Sequence, residues 1–114
     1  MLKKNVLRKK EDFYLLYNKG KSVSERYLVL IYKENGLSYN RKAILASKKV
    51  GNSVQRNRAR RLLRESYRLI ENNLKSGYDI ILIARKNILN LKCADVKKSM
   101  EAAMKKANLL KKQQ

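Results

Sequence analysis

The spacing of apolar residues along the chain predicts three helices and three strands. Apolar side chains recur every three or four positions, and so share one helix face, over residues 9–19, 52–73 and 94–110. Runs of β-branched and aromatic residues predict strands over residues 26–32, 41–47 and 78–85. The order helix, strand, strand, helix, strand, helix predicts an α+β fold, a two-layer sandwich with helices packed on a small sheet.

Turn signals indicate how these elements connect. Asn35-Gly36 is a hairpin signal between the first two strands, so we expect those strands to pair antiparallel. The third strand, residues 78–85, has an unbroken apolar middle, which is typical of a strand covered on both faces. Asn52 or Ser53 can cap the N-terminus of the second helix.

The last predicted helix has an apolar stripe, which we interpret as core rather than as a partner-binding face. The stripe consists of Val96, Met100, Ala103, Met104, Ala107 and Leu110. The single cysteine, Cys93, is expected to be a small and partly buried apolar residue. A zinc site of cysteines and histidines is excluded because the chain contains no histidine.

The composition indicates a polyanionic partner. Lys and Arg number 29 against 9 Asp and Glu, which gives a formal net charge of +20. The like-charged side chains repel one another in the folded state, and nucleic acid is the leading candidate for the partner that neutralises them. An anionic membrane competes, but no apolar run reaches the roughly 20 residues of a spanning helix, and the N-terminus lacks an apolar signal core. With 114 residues, 44% of them hydrophobic, we expect one cytoplasmic domain over residues 1–114 and no membrane partner.

Arginine is concentrated in residues 52–68, which contain six arginines and no lysine. On a helical wheel of about 100° per residue, one side of this helix carries mostly apolar side chains and the other side carries most of the arginines. The mostly apolar side consists of Ala59, Leu62, Leu63, Ser66 and Ile70. The other side, the arginine row, consists of Arg56, Arg60, Arg61, Arg64 and Arg68, with Asn57 among them.

A solvated charged face is the ordinary interpretation of such a run, but solvated faces usually alternate in sign. Here four arginines at successive i,i+4 positions carry like charges, relieved only by Glu65. Arginine, unlike lysine, makes bidentate hydrogen bonds to phosphate and stacks on bases. A helix in a DNA groove would need a helix-turn-helix partner, whereas the preceding SKKVGN is typical of a strand exit and loop, so the pattern favours RNA.

The segment SKKVGNSVQRNRARRLLRE, residues 47–65, resembles the signature of the bacterial ribonuclease P protein component family. In that family a strand ending in Ser-Lys-Lys runs through Gly-Asn into a helix with Arg-Asn-Arg, further basic residues and Arg-Glu. The segment of this chain contains each of these family residues in the same order and at the same spacing. The resemblance extends upstream to EDF at residues 11–13 and downstream to a Tyr-Asp-hydrophobic strand that ends in Ala-Arg at residues 84–85.

The resemblance implies a fold and a function. The family fold is similar to ribosomal protein S5 domain 2 and has a left-handed strand-helix-strand crossover. Its members partner the catalytic RNA subunit of ribonuclease P, which removes the 5′ leader of precursor tRNA by hydrolysis that depends on Mg2+. We therefore expect the RNA to carry the chemistry and to hold the magnesium, with no catalytic or metal-binding residue in the protein and no protein partner required. The chain has no histidine and one cysteine, and its nine carboxylates show no metal-binding motif.

The resemblance also implies site residues, position by position. Those expected to bind the catalytic RNA are Lys48, Lys49, Arg56, Arg58, Arg60, Arg61, Arg64 and Arg68. Those expected to line a cleft for the precursor leader, between the arginine helix and the sheet face, are Phe13, Tyr17, Ile31, Asn57 and Arg60. The i,i+4 spacing of Phe13 and Tyr17 can present two rings for base stacking, and it also fits a helix face buried in the core.

The chain departs from the family pattern in the cleft. The family often has an aromatic residue where Ile31 aligns, and the neighbouring Tyr32 should point to the other face of a regular strand. Ala43, Leu45 and Ala46 replace residues of other size or shape before Ser-Lys-Lys. These departures concern the detail of the cleft.

Two other functions stay open. A ribosomal or other structural RNA-binding protein would be equally basic, but it should not distinguish a tRNA precursor with a leader from one without. An autonomous metal-dependent endonuclease would use carboxylates such as Asp12, Glu65 or Asp79, and their replacement should abolish its activity.

Overall fold

The computed structural model of the chain describes residues 5–111, in which three helices pack on a four-stranded mixed sheet. In chain order the elements are α1 (Lys10–Lys19), β1 (Lys21–Ser24), β2 (Leu28–Glu34), β3 (Arg41–Leu45), α2 (Ser53–Ile70), β4 (Tyr78–Ala84) and α3 (Cys93–Lys106). Short 3₁₀ segments follow α2 at Glu71–Asn73 and β4 at Lys86–Asn90. The α+β class and the predicted order of elements are confirmed. β1 is an additional strand, which the pattern did not predict because it is short and mostly polar.

The strand order in the sheet is β1-β2-β4-β3. β4 pairs antiparallel with β2 and parallel with β3, so the expected antiparallel hairpin between β2 and β3 is wrong. The cause lies in β4, where Ile80, Ile81 and Leu82 are fully buried. A strand that is apolar on both faces is most stable in the centre of a sheet, with a neighbour on each side.

The Asn35-Gly36 signal does form a turn, but the turn does not lead back onto β2. The Asn35 side-chain oxygen accepts a hydrogen bond of 2.8 Å from the Leu37 N–H, and Gly36 adopts a φ of 73°. The Asn35 N–H then donates to the Gly77 carbonyl at 2.9 Å, just before β4. The chain therefore continues past β4 and enters the sheet on the far side as β3.

The core has two parts, one on each face of the sheet. The larger part lies between the sheet and the pair α2 and α3, and it includes most of the predicted α3 stripe, namely Val96, Met100, Ala103, Met104 and Ala107. The smaller part lies under α1 on the opposite face, with Leu7, Leu16, Ala43 and Ile81 buried. Ile31 packs against the smaller part and Tyr32 against the larger, so the two side chains point to opposite faces as expected.

Candidate RNA-binding surface

The start of α2 is fixed by a capping box. The Asn52 side chain accepts the Gln55 N–H at 2.9 Å, and the Gln55 side chain accepts the Asn52 N–H at 2.8 Å. Gly51, just before the cap, has a φ of 149°, and a side chain there would collide with Gln55. The preceding loop with Lys48 and Lys49 is therefore held in one orientation against the start of the helix.

Most of the mostly apolar side of α2 is buried as predicted. Ala59, Leu63, Ser66 and Ile70 are buried and Leu62 is half-buried, while Tyr67, from the other side of the helix, is buried too. Tyr67 was not predicted in the core, because the wheel places it within about 20° of Arg56. It is 3% exposed, and Lys42 of β3 lies 5.3 Å from its ring centroid. Burial, with a smaller contribution from Glu71, raises the pKa of the Tyr67 hydroxyl above its ordinary value.

The arginine row faces outward with little neutralisation. Arg61, Arg64 and Arg68 are exposed, and Arg56 and Arg60 are half-buried. Arg56 donates to the Ser53 hydroxyl at 3.2 Å, and Arg60 donates to the Asn57 side-chain oxygen. The ion pairs found within residues 5–111 are Arg41–Asp12, Arg41–Asp79 and Lys106–Glu25, so none of them includes an arginine of α2.

A pocket of about 980 Å³ opens beside the N-terminus of α2. Five basic residues line this basic pocket, Arg26, Lys48, Lys49, Arg85 and Lys86. Amide side chains, Gly51 and the apolar Val50 and Leu89 complete the wall, and no carboxylate of the described chain is among its lining residues. The positive end of the α2 dipole adds to the field, so the basic pocket is suited to an anion such as phosphate.

Sequence reasoning missed Arg26, Arg85 and Lys86 as parts of one site. Arg26 precedes β2 and Arg85 follows β4, and the two strands run antiparallel, so the start of one lies beside the end of the other. The Arg85 N–H donates to the Tyr27 carbonyl at 2.9 Å, which holds the two segments together. This cluster can be predicted only when the pairing of β2 with β4 is known, and the sequence pattern did not predict that pairing.

The five residues expected in the leader cleft are divided between two faces of the sheet. Phe13 and Ile31 pack together against the smaller core, and Tyr17 on the same helix is 53% exposed. Asn57 and Arg60 are on α2, which packs on the opposite face, so the five expected residues form two groups rather than one continuous lining. The physical reason is that the mostly apolar side of α2 covers Leu30, Ile80 and Leu82 instead.

The edge strand β3 nevertheless connects the two groups. The side of α2 that carries Tyr67 faces β3, where Lys42 covers the ring. Arg60 lies seven positions before Tyr67 and about 20° from it on the wheel, so it is on the same side of α2. Because α2 returns between two parallel strands, its N-terminal part, with Arg60, lies toward the end of β3 that carries Leu45. Leu45 itself packs against the smaller core, on the face that carries Phe13 and Ile31.

The carboxylates of the alternative nuclease interpretation do not form a site. Asp12 and Asp79 both bind Arg41, at 3.4 Å and 2.7 Å, and Glu65 is exposed on α2. Within residues 5–111, no group of three Cys, Asp or Glu side chains is arranged to hold a metal ion. No helix of the same range is both long and apolar enough to cross a membrane.

The fold and this surface define a class, a small basic α+β protein with an arginine-rich helix whose charge and exposure suit nucleic acid. Comparison with known proteins identifies the family. The family model described as Ribonuclease P matches residues 1–108. The chain therefore belongs to the ribonuclease P protein family, the protein subunit of the RNA-based endoribonuclease of tRNA processing.

Relatives and solved structures agree with this family. The ribonuclease P protein component of Caldanaerobacter subterraneus subsp. tengcongensis is 44% identical over 103 residues, which cover 90% of this chain and 89% of that protein. The component of Alkaliphilus oremlandii is 43% identical over 106 residues, with 93% of each chain covered. The structure of Staphylococcus aureus RNase P protein matches with a TM-score of 0.83 and 32% identity, covering 95% of this chain and 99% of that one.

Proposed function

We propose that this chain binds both the catalytic RNA of ribonuclease P and the 5′ leader of precursor tRNA in the cytoplasm, and so assists removal of the leader. The observation that carries the proposal is the arginine row together with the basic pocket at its N-terminal end. Both carry positive charge that the described part of the protein leaves without an ion-pair partner. A folded RNA supplies the phosphates that this surface lacks.

The arginine row, Arg58 and the loop before α2 are the proposed contacts with the catalytic RNA. Arginine is suited to this role because its planar guanidinium binds phosphate at two points and stacks on exposed bases. The capping box supports the proposal, since it fixes the loop and the helix before any RNA is bound. The proposed contacts are Lys48, Lys49, Arg56, Arg58, Arg60, Arg61, Arg64 and Arg68.

The leader is proposed to pass along β3, between the two groups of residues that flank this edge strand. Phe13 and Tyr17 of α1 would stack on bases from one face, with Ile31 below them. Asn57 and Arg60 of α2 would contact the leader from the other side. Their mutual hydrogen bond supports this arrangement, because it orients the Asn57 amide beside a guanidinium.

Magnesium is proposed to be held mainly by RNA. The carboxylates described in residues 5–111 do not fit a magnesium site, because they are not grouped and two of them bind Arg41. The contribution of this chain is to hold the substrate in place and to screen the repulsion between RNA phosphates. In this proposal, no side chain of the protein transfers a proton.

Reconstitution tests this division of roles. The purified protein, the catalytic RNA and a precursor tRNA are combined with Mg2+, and cleavage is measured with each component omitted in turn. We expect cleavage to require the RNA, and the protein to increase affinity for a precursor with a leader more than for a tRNA without one. Cleavage by the protein alone would contradict the proposal, and equal affinity for both substrates would favour a structural RNA-binding protein instead.

A further inference from the structure

Arg41 joins three separate parts of the chain on the α1 face of the sheet. From β3, its Nε and Nη2 atoms donate to the two carboxylate oxygens of Asp79 on β4, at 2.8 Å and 2.7 Å. Its Nη1 atom donates to Asp12 on α1 at 3.4 Å. Asn35, in the loop after β2, donates to the same Asp79 carboxylate at 2.9 Å. Asp79 is only 7% exposed, so this side of the network is anchored inside the protein.

The network holds α1, a helix that has few other contacts with the core. Leu16 is the one buried residue described within α1, and Lys9 at its N-terminal end makes no side-chain capping bond. Tyr14, Leu15 and Tyr17 of this helix remain exposed. A helix fixed by so little apolar burial can rotate or shift on the sheet, so one ion pair at a defined point changes its orientation more than it would in a deeply buried helix.

Asp12 precedes Phe13 directly, and this adjacency gives the network a consequence for binding. We propose that Arg41 is a positioning residue for leader binding: Asp79 fixes the Arg41 guanidinium, which fixes Asp12 and thereby the ring of Phe13 over the sheet. This inference rests on the proposed function, in which Phe13 contacts the leader. Arg41 itself touches no RNA in this proposal.

The alternative is that the network only stabilises the fold. A bidentate, half-buried ion pair contributes to stability in many proteins, and loss of one partner destabilises them. The two roles differ in what they predict for substrates. A stabilising role affects every RNA equally, whereas a positioning role affects only the RNA that contacts Phe13.

The test uses Asp12→Asn, which keeps the size of the side chain and removes its charge. In the reconstituted holoenzyme, we expect affinity for precursor tRNA with a leader to fall about fivefold, in the range of measured coupling between neighbouring residues. Affinity for tRNA without a leader, and for the catalytic RNA, should stay unchanged. Glu11→Gln is the matched control, because Glu11 is an exposed carboxylate on the same turn of α1 and forms none of the ion pairs described above.

A double-mutant cycle with Phe13→Ala distinguishes the two roles. If Asp12 acts through Phe13, the double variant should bind the leader no more weakly than Phe13→Ala alone. Independent effects that multiply would overturn the positioning role. A normal leader affinity in Asp12→Asn would overturn it too, provided that Phe13→Ala is impaired. If Phe13→Ala itself binds the leader normally, the proposed contact between Phe13 and the leader is wrong. This result contradicts the proposed function, whereas the two results above contradict only the positioning role of Arg41.

Arg41→Lys provides a second variant that keeps the positive charge. A lysine cannot bind both oxygens of Asp79 and reach Asp12 at the same time, so we expect the same selective loss of leader affinity. The free energy of unfolding of each variant is measured by urea titration, so that unfolded protein is not mistaken for weak binding. Selective loss in a variant that remains folded supports the proposal, and equal loss for substrates with and without a leader contradicts it.

Discussion

Lys42 lies over the ring of Tyr67, and this pair shows how one α2 residue can be placed in the core while its neighbours on the wheel stay charged. Tyr67 is long enough for its ring to reach β3 from the border of the arginine row. The alkyl stem and ammonium of Lys42 then cover the face of the ring. A wheel drawn from residue types alone cannot predict this burial, because it depends on which strand lies beside the helix.

The buried hydroxyl of Tyr67 predicts a pH dependence of stability. The folded-state pKa is raised above the unfolded value of 10.0, so the folded protein keeps this proton where the unfolded chain loses it. The contribution of this group to the free energy of unfolding is fully present below pH 10.0. As the pH rises further, the free energy of unfolding falls by about 1.4 kcal/mol per pH unit. Urea unfolding of Tyr67→Phe should lack this alkaline loss, whereas the exposed Tyr17→Phe control should keep it.

Arg60 belongs both to the arginine row and to the residues proposed to contact the leader. Arg60→Ala should weaken RNA binding and reduce the slope of log affinity against log salt by about one, since one phosphate contact and its released counterion are lost. Titrations of the catalytic RNA over a range of salt measure the slope. Lys105→Ala, an exposed cation at the end of α3, should leave it unchanged, and an unchanged slope in Arg60→Ala would mean that Arg60 does not contact phosphate.

The helices could be predicted from the sequence better than the sheet. Helix periodicity and caps are local, so residues 53–70 carry enough information to define α2 and its two sides. Strand pairing is not local, and the Asn35-Gly36 turn gave the wrong partner because the more apolar β4, far along the chain, takes the place beside β2. The same limit applies to the site: the arginine row follows from one helix, but the basic pocket requires the neighbourhood of Arg26 and Arg85.

The capping box of α2 gives a prediction for an entire element. Asn52→Ala removes the acceptor for the Gln55 N–H and should lower the free energy of unfolding by about 1 kcal/mol. Urea titration measures this loss, and Ser53→Ala, one residue later and not the cap, should change it by less than about 0.5 kcal/mol. Equal effects of the two substitutions would argue that the cap does not determine where α2 begins.

Taken as a whole, the molecule distributes its core unequally between the two faces of the sheet. The two helices α2 and α3 cover one sheet face with most of the core, while α1 covers the other face with a small one. The net charge of +20 is distributed around this body, and its least compensated part follows α2 and the basic pocket. The protein thus has a densely basic side at α2 and a side at α1 that is held by little apolar burial.

The central place of β4 also affects how the protein is made. A ribosome synthesises β2, β3 and α2 before β4, so the strand that both β2 and β3 pair with emerges only after the arginine helix is complete. During that interval the mostly apolar side of α2 has no sheet to cover, while its arginines are already available. A nascent chain of this protein therefore exposes both the apolar side and the arginines of α2 before its central strand is available, so completion of the core waits for β4.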